Sequence, residues 1–137
     1  MEFLRSIFAF LRGGAWGFSV LERAILDEAG RQLDKDRADK LRRRIENINF
    51  VQRHDGGREV NAYSMRHRKP VQDETLRLSP EIGEQRLATF SFLAPDQRRL
   101  SGAIWLVNGQ LFQIEFDDIT EHIIDFAPED MILNICL

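Results

Sequence analysis

Ala103 to Phe116 reads AIWLVNGQLFQIEF, and this stretch decides the fold. Asn108-Gly109 separates two apolar-rich runs. Asn-Gly is the strongest short-range signal for a two-residue type I′ hairpin, because both central residues must take positive φ. Such a turn places Trp105 opposite Phe112 and Ala103 opposite Ile114. With Phe116 they form one apolar face for helices to cover, since cross-strand neighbours share a face. The opposite face then carries Ile104, Leu106 and Leu111 beside Gln113 and Glu115. That is too apolar for a wetted surface, so it is expected to lie under the Met131–Leu137 tail or to serve as a homo-oligomer contact.

The period-2 pattern recurs upstream. Phe50 to Arg53 and Glu59 to Met65 flank His54-Asp55-Gly56-Gly57-Arg58, a turn rich in residues that tolerate positive φ, and predict a second hairpin. Leu87 to Leu93 alternates with Ala88, Phe90 and Phe92 on one side. Between them, residues 66–84 hold Pro70, Pro80 and many charges. They read as a long connection with a short strand at Leu76–Leu78, and a loop of that length is a candidate functional element.

Before Asn49 the period is helical. Ser19 followed by Glu22 has capping-box spacing, and Leu21, Ala24 and Ile25 line a helix that ends near Gly30. Asp34 caps the next helix, whose stripe is Ala38, Leu41, Ile45 and Ile48, with Asp36–Lys40 and Asp39–Arg43 at ion-pair spacing. Phe3, Ile7, Phe10 and Leu11 predict a further amphipathic helix within Met1–Arg12, packed on the core. Lying on a membrane is the alternative, with only Arg5 and Arg12 to meet headgroups. Its uncharged core, Ser6–Leu11, is shorter than a secretory signal requires. The expected fold is α+β, with N-terminal helices packed on one face of a mainly antiparallel sheet. A single domain is expected over 1–137, helical to about residue 48 and sheet thereafter.

Composition narrows the function classes. The chain has 137 residues, 43% hydrophobic and 30% charged, which suits one domain with one core. A net charge of −3 gives no global attraction to nucleic acid or anionic lipid. The single cysteine, Cys136, excludes an internal disulfide and a cysteine-built zinc site, and within Ile-Cys-Leu it reads as a buried, inert thiol. No uncharged run approaches the roughly 20 apolar residues of a membrane span. One thiol without an export signal points to a reducing cytoplasm. Arginine outnumbers lysine 16 to 3, as in proteins of GC-rich bacteria.

Catalytic patterns are sparse. Neither a Gly-x-Ser-x-Gly elbow nor a phosphate-binding loop with its Lys-Ser/Thr is present. His54-Asp55 at a hairpin tip has the groups for proton transfer, although turn geometry accounts for both. His67, within Arg66-His67-Arg68-Lys69, suits either a phosphate-binding edge or a solvated loop. Asp118-x-x-Glu121-His122-x-x-Asp125 would, as a helix, bring Asp118, His122 and Asp125 to one side, where a divalent metal could sit. The competing reading is an acidic surface, and neither metal nor cofactor is expected.

Charge is unevenly spread. Residues 31–69 hold 12 basic and 6 acidic side chains, whereas residues 70–137 hold 4 basic and 12 acidic. Arg42-Arg43-Arg44, with Arg53, Arg58 and Arg66 to Lys69, could contact nucleic-acid phosphates, but no aromatic-basic RNA-recognition module accompanies them. Glu115, Asp117, Asp118, Glu121, Asp125, Glu129 and Asp130 form an acidic run without a Lys or Arg, beside Trp105, Phe112, Phe116 and Phe126. Carboxylates next to aromatic anchors suit a basic protein partner, because charge speeds encounter and aromatics hold the complex.

The expectation is therefore a non-enzymatic protein-binding domain with those seven carboxylates as partner-binding residues. The alternatives are a nucleic-acid-associated protein using residues 42–69 and a small enzyme with an unrecognised site. In size, helix-plus-sheet plan and the tail from Ile104-Trp105-Leu106-Val107-Asn108-Gly109 through Phe116 to the acidic residues, the chain resembles small bacterial immunity proteins. The resemblance implies a cytoplasmic inhibitor that neutralises a toxin by binding it. Binding residues in such proteins vary with the toxin, so the resemblance carries over none of them, and the Arg-rich middle departs from a uniformly acidic inhibitor.

Overall fold

Ser19 starts the first helix by satisfying its orphan amides. Its hydroxyl accepts from the Glu22 amide at 3.2 Å while the Glu22 carboxylate accepts from the Ser19 amide at 2.8 Å, the reciprocal pair the spacing predicts. Helix α1 (Val20–Gln32) runs two residues past Gly30 and buries Leu21, Ile25, Leu26 and Ala29; Ala24 is only half-buried. Asp34 caps helix α2 (Lys35–Asn47) through the Arg37 amide at 2.9 Å. Leu41 and Ile48 are buried on its inner side, with Ala38 and Ile45 packed against the core. Lys40 pairs with Asp36 as expected, but Asp39 takes Arg42 rather than Arg43.

The computed structural model describes residues 14, 15 and 17–137, so the helix expected over Met1–Arg12 lies outside the described residues. Among them, the two helices pack on an antiparallel sheet, giving the α+β fold. The strands are β1 (Gly14–Ala15), β2 (Phe50–His54), β3 (Glu59–Tyr63), β4 (Met65–Arg66), β5 (Lys69–Pro70), β6 (Glu84–Leu93), β7 (Arg99–Val107), β8 (Gln110–Phe116) and β9 (Ile132–Ile135). Seven of them form one sheet in the order β1-β2-β3-β8-β7-β6-β9, and β4 and β5 make a separate two-stranded ribbon. Because β1 precedes α1 and pairs with β2, the chain does not divide cleanly into a helical part and a sheet part near residue 48.

The Asn108-Gly109 turn forms, with φ of 50° and 79°, and sets Val107 opposite Gln110 and Leu106 opposite Leu111. The next pair departs from the expected register. Trp105 lies opposite Gln113, not Phe112, and Ala103 lies opposite Glu115, not Ile114. Phe112 is the extra residue of a β-bulge, which resets the alternation of β8. Leu111, Ile114 and Phe116 therefore all point into the core, opposite Leu106, Ile104 and Gly102 of β7 respectively. Ile104, Leu106 and Leu111 are at most 1% exposed, so they are the helix-covered face and not an oligomer contact. Gly102 permits the close passage of the Glu115 carbonyl and the Phe90 ring, both of which a Cβ would strike.

The long connection is anchored more firmly than its composition suggests. Arg66 to Lys69 turns tightly through His67 and Arg68, both at positive φ, to close the β4–β5 ribbon. Leu76 ends a 3₁₀ turn (Glu74–Leu76) rather than starting a strand, and both Leu76 and Leu78 are buried. The Leu78 amide donates to the Gly109 carbonyl at 2.8 Å. The C-terminal tail forms β9, which extends the sheet beside β6 instead of covering a face. Cys136 lies just past the end of β9 and is exposed, contrary to the buried thiol expected from its apolar neighbours. An edge strand alternates its faces to solvent, and flanking hydrophobics alone do not bury a side chain at its end.

Candidate functional site

Strand alternation sorts the sheet into two faces. Val51, Val60, Ala62, Ile104, Leu106, Ile114 and Phe116 face the helices and are buried. Among the described residues no helix lies on the other face, and a row of aromatic side chains runs across it. Phe50 and Tyr63 are register partners with ring centroids 5.9 Å apart, and Tyr63 meets Phe112 edge-to-face at 5.5 Å. Phe112 reaches this face through the bulge. On the neighbouring strand Trp105 is half-buried, its indole N–H donates to Glu115 at 3.3 Å, and the Arg86 guanidinium lies 5.2 Å from its ring.

Two carboxylates sit next to the row. Glu59 on β3 and Glu115 on β8 are direct register partners and both are exposed. Like charges opposite one another destabilise a sheet, and no described cation pairs with either. Beside them Gln113 donates to Asn61 at 2.9 Å, which fixes both amides on the same surface.

The structure does not gather the seven expected carboxylates into one uncompensated patch. Glu115 is on the open sheet face, and the others follow the loop beyond β8. Asp117 accepts from the Ser101 amide at 3.0 Å, Asp118 pairs with Arg98 at 2.6 Å, and Asp130 lies 3.7 Å from Arg99. The Ile119 amide, and after it Arg98, hold the Asp118 carboxyl below its ordinary value. Glu121 and Asp125 line a cleft of about 400 Å³ with Ser19 and Arg53. Glu129 is exposed. The loop itself is fixed: the Thr120 hydroxyl donates to the Gly57 carbonyl at 3.0 Å, and the Leu21 amide donates to the Ile124 carbonyl at 3.0 Å.

The helical spacing proposed for Asp118, His122 and Asp125 does not apply, because the segment makes only one 3₁₀ turn, Glu121–Ile123. The arginine run is likewise divided. Arg42 pairs with Asp39 and Glu46, Arg43 is exposed, and Arg44 is 4% exposed beneath α2. His54 is exposed at the end of β2, and Asp55 opens the turn at φ 54°. Arg53 points to the helix side, where it meets the buried Glu22 at 2.5 Å.

Phe50, Tyr63 and Glu59 were not among the expected site residues. Alternation away from Val51 and Val60 places them on the outer face, but their meeting with β8 depends on a β3–β8 pairing distant in sequence. Compared with family models, curated proteins and solved structures, the chain matches none.

Proposed function

We propose that this chain is a non-enzymatic protein-binding domain that docks a basic partner on its open sheet face. The observation that carries the reading is the aromatic row Phe50, Tyr63, Phe112 and Trp105 beside the opposed carboxylates Glu59 and Glu115. Half-buried aromatics supply contact area at low entropy cost, and a cation from the partner relieves the repulsion between the carboxylates. Asp117 follows at the end of the same strand and adds to the negative field that steers the encounter. The resemblance to immunity proteins makes the partner a toxin whose cleft handles an anionic substrate, neutralised in the cytoplasm.

The test is kinetic. The partner is recovered from the host on the wild-type chain, identified, purified and returned to a binding assay. Glu59→Lys with Glu115→Lys is expected to slow association by about tenfold or more at low ionic strength, and the difference narrows as salt rises. Trp105→Ala is expected to speed dissociation instead. Binding unchanged in both variants would refute the reading. If Arg43→Glu with Arg68→Glu abolishes RNA binding while the carboxylate variants behave as wild type, the chain is a nucleic-acid-associated protein.

A further inference from the structure

A second site lies away from the sheet face, where the end of α2 meets the β4–β5 ribbon and the start of β8. A cleft of about 730 Å³ opens there, its lining more polar than apolar, with Ile48, Met65, Val71 and Leu76 beside Arg44 and Gln110. That volume suits a small polar ligand.

Both polar groups are unusual. Arg44 is 4% exposed, yet no described carboxylate pairs with it. Its Nε and Nη2 both donate to one acceptor, the Leu111 carbonyl, at 3.1 and 2.9 Å, which leaves Nη1 without a described protein partner. Burial draws its pKa down to about 10, so it remains a cation at neutral pH. The other well-buried charge, Glu22, is paired with Arg53, as buried ions usually must be. Gln110 is 1% exposed. Its amide nitrogen donates to the Asp73 carbonyl at 2.7 Å, while its buried Oε1 has no partner. Buried polar groups are nearly always satisfied, so an unpaired acceptor next in sequence to the carbonyl that holds an unneutralised guanidinium asks for a ligand carrying the complements of both.

The geometry points to a binding site for a small monocarboxylate with an adjacent N–H donor, such as an N-acyl amino acid or the end of a peptide. The carboxylate would accept from Arg44, and the N–H would donate to Gln110 Oε1. A single negative charge fits better than a phosphate dianion. The cleft is lined by Glu46 and Asp73 against one further cation, Arg66, and lies at the carbonyl end of α2, so the balance opposes a second negative charge. As a mere tether from α2 to β8, Arg44 would need neither the cleft nor the unpaired glutamine.

The experiment is an NMR titration of the ¹⁵N-labelled chain, following the Arg44 Nε–H and the Gln110 side-chain amide. N-acetylglycine is the probe, with acetate and the neutral N-acetylglycinamide for comparison. N-acetylglycine is expected to shift both signals saturably, acetate to bind more weakly, and the neutral amide to leave them unmoved. Arg44→Lys loses the planar fork and is expected to weaken N-acetylglycine by about tenfold. Gln110→Met, close in shape, should remove the advantage of N-acetylglycine over acetate, and it reports even if Arg44→Lys fails to fold. Triglycine separates the sources. Tighter binding than N-acetylglycine identifies a chain end, and weaker binding identifies a free small molecule. Equal shifts by N-acetylglycine and its amide, or no saturable shift by either, overturn the assignment.

Discussion

The hairpins β2–β3 and β7–β8 begin alike and end differently. Each closes on residues at positive φ, and each starts in the register its turn dictates. In β2–β3 the register then holds without interruption from His54–Glu59 to Phe50–Tyr63. In β7–β8 it holds for two pairs before Phe112 bulges out. A turn therefore fixes register only as far as the first bulge, and beyond it the burial of apolar side chains decides. Leu111 and Ile114 are three residues apart, which strict alternation would send to opposite faces. The bulge lets both enter the core, and it moves Phe112 to the surface beside Tyr63.

Single-residue deletions are the sharpest way to break this comparison. Deleting Asn61 from the uninterrupted β3 exchanges the faces of the residues on one side of the gap, so Val60 and Ala62 cannot both stay buried. Loss of folded protein is expected, read as absent near-ultraviolet dichroism. Deleting Phe112 instead removes the bulge and leaves Trp105 opposite Gln113 and Ile104 opposite Ile114. That variant should fold, at a cost of about 1–2 kcal/mol that includes the lost edge-to-face contact with Tyr63. Two equally unfolded deletions would contradict the bulge.

Substitutions on β7 test the same point with smaller effects. Ile104 is wholly buried, and Ile104→Ala is expected to cost about 2–5 kcal/mol in urea unfolding. Trp105 is larger but half-buried, held by one hydrogen bond and the Arg86 contact, so Trp105→Ala should cost about 1–2 kcal/mol. The reverse ranking would return Trp105 to the helix side.

Local chemistry was the legible part of the sequence. The Ser19–Glu22 box, the Asp34 cap and both positive-φ turns follow from residue types a few positions apart, and the α+β plan follows from them. The faces of β7 were not legible, because alternation counted from the turn has no knowledge of Phe112. The spacing of Leu111, Ile114 and Phe116 was the one available signal, and it reads equally well as strand or helix in isolation. The open-face site required the β3–β8 pairing, which joins residues more than fifty positions apart. A charge run showed where carboxylates were dense but not which had partners. Arg98 and Arg99 lie on the chain before Trp105, yet they fold back to Asp118 and Asp130.

The same partnering sets the smallest expected effect, in acid. The Ile119 amide and Arg98 favour the charged form of Asp118, so its carboxyl titrates lower in the folded chain than in the unfolded one. A group depressed in this way contributes stability that is fully present above its unfolded value, near 3.8, and is lost as pH falls through its lower folded value. Asp96, held down mainly by its hydrogen bond from Arg98, behaves with the same sign. Both side chains are about half-exposed, so solvent screens the effect and salt should reduce it further. Asp118→Asn cannot take part in this titration, and its unfolding midpoint should fall less steeply than that of wild type as pH drops below about 4. Asp96→Asn should flatten the same limb in the same direction. If both variants keep the wild-type acid limb, Arg98 and the Ile119 amide do not hold these carboxylates down, and the division of the run into partnered and solvated members loses its energetic meaning.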